Sequence, residues 1–121
     1  MSTIPVTDDV LAPEIEVLAV PDVAERLALP VTRVHQMLRD HQLLAMRRDG
    51  VIVIPAEFLT DDGPVKGLTG TITVLRDGGY RDTDILRWLF TEDESLPGTP
   101  VSALRADRGR EVKRRAQAMA F

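Results

Sequence analysis

Apolar residues recur at helical spacing over two short adjacent stretches, and the pattern then changes to one that suits a hairpin. Val20, Val23, Ala24 and Leu27 fall at i, i+3, i+4 and i+7, one face of a helix. Pro21 suits the first turn of that helix, where its missing N–H costs nothing, and Asp22 and Glu25 suit the positive end of its dipole. Ala28-Leu29-Pro30 reads as a turn that stops the first helix and lets a second begin. In the second helix Val31, Val34, Met37 and Leu38 are expected to face the core, which gathers Thr32, Arg33, Gln36 and Arg39 on the opposite side. Asp49-Gly50 then favours a two-residue type I′ turn, whose central residues both need positive φ. Residues 44–47 and 51–54 are its expected arms, with Arg47 and Arg48 at the tip.

The same periodicity continues more weakly downstream. Residues 55–59 predict one helical turn that packs Phe58 on the hairpin, and residues 60–64 read as a loop. Leu68, Ile72 and Leu75 mark a helix ending at Gly78-Gly79, although three threonines and Gly70 give it poor intrinsic propensity. Asp82 or Thr83 is expected to cap the next helix, with Ile85, Leu86, Leu89 and Phe90 facing inward and Trp88 where it meets the first half. Thr99 and Pro100 open a last helical region, broken near residues 107–109, in which Val101, Leu104, Val112, Ala116 and Met119 line one face. Residues 14–18 suit either a strand beside the hairpin or a simple lead into the first helix. The expected fold is therefore mainly α with a small β-hairpin: a flexible arm at 1–13, a winged helix-turn-helix at 14–60 and a helical region at 64–121 packed on it.

Arg, Gln and Thr are residues that read base edges or hold phosphates, and a recognition helix followed by a basic hairpin is the winged arrangement. On this reading Thr32, Arg33 and Gln36 face bases, while Arg39, Arg47 and Arg48 hold phosphates or probe the minor groove. The pattern VxxVAERL…VxxVxxxLR…LLAxRRxGxxxIP, with GGYRDTDILRWLF and REVKRRAQAMAF further on, resembles actinobacterial, mycobacterial-type winged helix-turn-helix DNA-binding proteins with a helical C-terminal extension. The resemblance runs from about Asp8 onward and implies a small, non-catalytic DNA-binding regulator. Two positions depart from such motifs: Ala28 stands where the turn often has Gly, and Ala19 is a poor N-cap.

Composition sharpens the picture in three places. At 121 residues, 44% hydrophobic and 28% charged, the chain suits one soluble domain with a real core. It has no cysteine, hence no disulfide framework, and no apolar run long enough to span a bilayer, so a cytoplasmic location is expected. The net charge of −4 opposes DNA binding only as an average, since the field over one face decides. Residues 1–20 hold Asp8, Asp9, Glu14 and Glu16 with no Lys or Arg, whereas residues 105–115 hold six basic against two acidic groups.

Catalytic chemistry is not legible. His35 and His41 stand six apart, where a zinc pair prefers four, and no metal or other cofactor is implied. The glycines at 63, 67 and 70 lack the order of a phosphate-binding loop. No serine has a visible base and orienting acid. The rival class is a protein-interaction module, antitoxin-like or an adaptor, acting through residues 80–121, and a homodimer through the same apolar stripe is a further arrangement. Ser2, Thr3 and Thr7 lie in the arm, with Thr7 before Asp8-Asp9, which makes Thr7 and Thr3 candidate phosphorylation sites for a Ser/Thr protein kinase.

Overall fold

The two helices of the first half each end in the same way, and those ends fix how the second presents its polar face. In the computed structural model, which describes residues 4–96 and 98–120, the chain runs β1 (Thr7–Asp8), β2 (Val17–Ala19), α1 (Val20–Leu27) and α2 (Val31–Arg39). Beyond α1 the N–H of Leu29 donates to the Ala24 carbonyl (2.9 Å) and that of Ala28 to Glu25 (3.1 Å). This is the Schellman pattern, and it places Ala28 in the left-handed region at φ 55°. Past α2 the bonds from Gln42 to Met37 and from His41 to Leu38 repeat it, with His41 at φ 57°. His41 thus has a defined structural place as the residue that turns the chain away from α2.

A left-handed backbone is costly for any residue with a Cβ, and glycine relieves that cost. Ala28 is exposed, so removing its methyl group uncovers no core. Ala28→Gly should therefore raise stability by about 0.5–1 kcal/mol, read as a higher denaturant midpoint at unchanged slope. A lower midpoint would contradict this account of the turn.

After α2 come β3 (Met46–Arg48) and β4 (Val51–Pro55), joined by Asp49-Gly50 at φ 51° and 79°, the expected type I′ turn. The wing is part of a larger sheet than the sequence suggested. Its order is β1-β3-β4-β2, with β2 antiparallel to β4 (Leu18 opposite Ile54) and β1 parallel to β3 (Thr7 opposite Met46). Of the two readings open for residues 14–18, a strand beside the hairpin is the one adopted, over Val17–Ala19. The arm reading is corrected for its described part: the Thr7 N–H donates to the Ala45 carbonyl (3.1 Å), and residues from Ile4 on pack against the sheet and the later helix Asp82–Leu89 rather than hang free. Two strand residues carry no periodicity that a sequence pattern could register.

The rest of the chain folds onto this sheet. A 3₁₀ turn, Ala56–Phe58, leads into β5 (Leu59–Thr60) and β6 (Gly63–Pro64), a hairpin where a loop was expected. Then follow α3 (Leu68–Asp77), α4 (Asp82–Leu89), α5 (Pro100–Arg105) and α6 (Gly109–Ala120). Helices α3 and α6 pack in parallel: Gly67 lies beside Gly109 at one end, and a Cβ on Gly78 would sit 2.6 Å from that of Ala120 at the other. Gly78 is required by that approach, while Gly79, at φ 92°, makes the turn. The N-cap of α4 is Arg81, a residue before the expected one, with its N–H donating to Asp84 (3.3 Å). One core runs through both halves, from Val23, Val34 and Leu38 through Ile54 and Phe58 to Leu75, Leu86 and Val112. The architecture is thus helices around small sheets, six of the former among the described residues, and only roughly mainly α.

Candidate nucleic-acid interface

Burial sorts the expected contact residues into an open set and a closed one. Val34, Met37 and Leu38 turn α2 inward against α1 and into the common core, leaving Thr32 and Arg33 exposed and Gln36 and Arg39 half-buried. Val31 is not core, as its spacing suggested, but 38% exposed. At the first helical position a side chain leans back over the preceding turn, here Ala28-Leu29-Pro30, and has no helix beneath it. Val31 therefore borders the open face.

The two wing arginines have opposite fates. Successive strand residues point to opposite sides, and Arg47 is exposed while Arg48 folds back beneath the N-terminal segment. Arg48 donates from Nε to Asp9 Oδ2 (2.6 Å) and from Nη2 to Oδ1 (3.2 Å), and also to the carbonyls of Ile15 (2.9 Å) and Ala12 (3.1 Å). It is a strut for residues 9–15 and has no side-chain freedom left for a phosphate, which corrects its expected role. Among the described residues neither Arg33 nor Arg47 has an acidic partner within ion-pair distance.

The strut has a titration signature. The hydrogen bonds from Arg48, helped by the Leu11 N–H, hold the Asp9 carboxyl below the usual carboxylate range despite its partial burial. A carboxyl depressed in the folded state stabilises above its unfolded pKa, about 3.9, and that contribution disappears as pH falls through the lower folded value. Protection of the Thr7 amide against hydrogen exchange should therefore drop as pH falls below about 4. Asp9→Asn should show the weaker protection at every pH; a mutant indistinguishable from the parent would remove the strut from this account.

Thr7 itself is half-buried in β1 with its hydroxyl on the Asp8 carbonyl (2.9 Å), and Ser2 and Thr3 lie outside the described residues. The basic residues Arg110, Lys113, Arg114 and Arg115 lie exposed along α6, while Arg108 pairs with Glu111 (2.6 Å). Arg105 donates to the carbonyls of Glu57 (3.1 Å) and Leu59 (2.9 Å), which ties α5 to the base of the wing. Among the described residues no cluster of three or more His, Asp or Glu side chains is arranged to hold a metal, and no helix is long and apolar enough to cross a membrane.

A helix with an open polar face followed by a β-hairpin wing is the winged helix-turn-helix arrangement, and comparison with known sequences agrees. Residues 3–59 match the family "DNA-binding protein Rv2175c, wHTH domain", and residues 65–120 match "Rv2175c C-terminal domain of unknown function". The chain belongs to this family. It is 50% identical to "DNA-binding protein Rv2175c" of Mycobacterium tuberculosis (strain ATCC 25618 / H37Rv) over an alignment of 134 residues that covers 100% of this chain and 92% of the relative. It also superposes on a solved structure described as "NMR structure of Rv2175c" with a TM-score of 0.89 at 49% identity, over 99% of this chain and 91% of that one. The Rv2175c family is one of DNA-binding proteins, not of enzymes, and its winged match begins at residue 3, so it takes in the N-terminal segment that the sequence reading had set apart.

Proposed function

We propose that this protein binds duplex DNA with sequence preference and serves as a small transcriptional regulator. Helix α2 would lie in the major groove, with Thr32, Arg33 and Gln36 at base edges, and Arg39 and Arg47 would hold phosphates on either side. The observation that carries this reading is that α2 has an uncovered polar face and that the wing following it, held by strands at both edges of its sheet, leaves Arg47 uncovered. The M. tuberculosis relative, half of whose aligned residues are shared, is a DNA-binding protein by name, which supports it. The net charge of −4 argues for modest affinity.

The apolar stripe on residues 80–121 favours a protein partner less than it did in the sequence. Val101 and Leu104 on the inner side of α5 and Val112 and Ala116 between α6 and its neighbours are buried, and Met119 at the end of the stripe is exposed. A kinase acting on Thr7 would first have to draw it out of β1. The test of the DNA reading is selection from a random duplex pool with the full chain at two salt concentrations. Enrichment of one motif that weakens as salt rises is expected; absence of binding even at low salt would overturn the proposal.

A further inference from the structure

Asp40 is out of place on a surface meant for a polyanion. It is exposed at the C-terminal end of α2, one residue past Arg39, and its charge would repel DNA phosphates. Its side chain, however, is engaged: Gln36 Nε2 donates to Asp40 Oδ1 (2.9 Å), and Arg39 Nη2 donates to Gln36 Oε1 (2.9 Å). The two flanking groups leave the Gln36 amide no choice of orientation. A carboxylate only accepts and a guanidinium only donates, so turning the amide over would set oxygen against carboxylate and NH₂ against guanidinium.

A primary amide has two N–H donors and two acceptor lone pairs. One of each is taken within α2, and one of each is left. Adenine offers the matching pair in the major groove, an acceptor at N7 and a donor at the N6 amino group. Guanine offers two acceptors there, and one of them would face the Gln36 oxygen unpaired. Fixing the amide before binding also removes rotamer freedom that would otherwise be lost on contact. Arg39 retains other N–H groups for a phosphate, which would couple the register of the backbone to that of the base.

Resting on the DNA reading above, we infer that Arg39 and Asp40 are positioning residues that hold Gln36 as a ready-made reader of adenine, and that Asp40 serves base preference although its charge opposes binding. The alternative is two ordinary side-chain pairs at i, i+3 and i, i+4 that only support the helix. The two accounts separate in their readouts.

The experiment takes the motif selected by the full-length chain and replaces each adenine in turn with guanine or 7-deazaadenine, which lacks the N7 acceptor. At one adenine, guanine should cost the parent roughly 5- to 150-fold in affinity, and 7-deazaadenine about 3- to 10-fold. Gln36→Ala should be indifferent to both changes at that position. Asp40→Ala should bind random-sequence duplex as well as the parent or better, yet lose about 3- to 10-fold of its preference for adenine. Asp40→Asn, which still offers an acceptor, should recover most of that preference without the charge. A lower melting temperature for Asp40→Ala with adenine preference intact would overturn the inference, as would a parent insensitive to 7-deazaadenine at every position. A pool from which the parent enriches no motif would remove sequence reading altogether; a motif whose bases are indifferent to all three variants would sink this inference alone and leave DNA binding in place.

Discussion

Phe58→Ala should be the most damaging single substitution in the protein, costing about 3–5 kcal/mol out of a total stability on the order of 5–15 kcal/mol. Phe58 is fully buried, and its ring centroid lies 5.6 Å from that of Phe90 at an interplanar angle of 44°. It sits in the 3₁₀ turn between the wing and β5, where α5 packs and where Arg105 takes the carbonyls of Glu57 and Leu59. Removing the ring leaves a cavity at the joint between the two halves, lined by groups already fixed in place. The melting temperature should fall by about 10 °C or more. Because the core is continuous across this joint, both halves should still unfold in one transition. A winged half that melts separately, above the rest, would show that residues 65–120 do not share its core.

Most of the winged half was legible because its signals are local. The spacing of Val20, Val23 and Val34, the proline at the start of α1, and Asp49-Gly50 each act within a few residues of themselves. Ala28 was correctly singled out as unusual, and its φ of 55° is the reason. What the sequence hid is of two kinds. Strands of two residues, β1, β5 and β6, have no period to detect, so the chain from Ile4 to Pro13 looked like an arm and residues 60–64 like a loop. Partnerships across long sequence separations were equally invisible: Asp9 and Arg48 stand 39 residues apart, and nothing in the residue types says which of Arg47 and Arg48 is the paired one. Strand alternation did contain that distinction, since adjacent residues of β3 cannot both serve the same surface. The polar face of α2 expected from the spacing extends one residue further at each end. Val31 borders it because the first turn has no cover, and Asp40 joins it through its side-chain bond from Gln36.

Arg47→Ala and Arg33→Ala should then weaken DNA binding in distinguishable ways, with Arg48→Ala as the control that the structure demands. Arg47 on an exposed wing strand would meet a phosphate, so its loss should weaken binding to all sequences alike. The slope of log affinity against log salt should become shallower by about 0.9, the share of one phosphate contact on B-DNA. Arg33, exposed on the open face of α2, would act at a base edge, and its loss should cost about 1–3 kcal/mol at the preferred site and relax selectivity there. The salt slope should then change little. Arg48, bound to Asp9 and to the carbonyls of Ala12 and Ile15, should behave as neither. Arg48→Ala should expose the Thr7 amide to exchange and lower stability, while folded protein keeps the parental salt slope. A slope reduced by Arg48→Ala and untouched by Arg47→Ala would mean that the N-terminal segment leaves the wing on binding, and that the face assigned to DNA is the wrong side of the sheet.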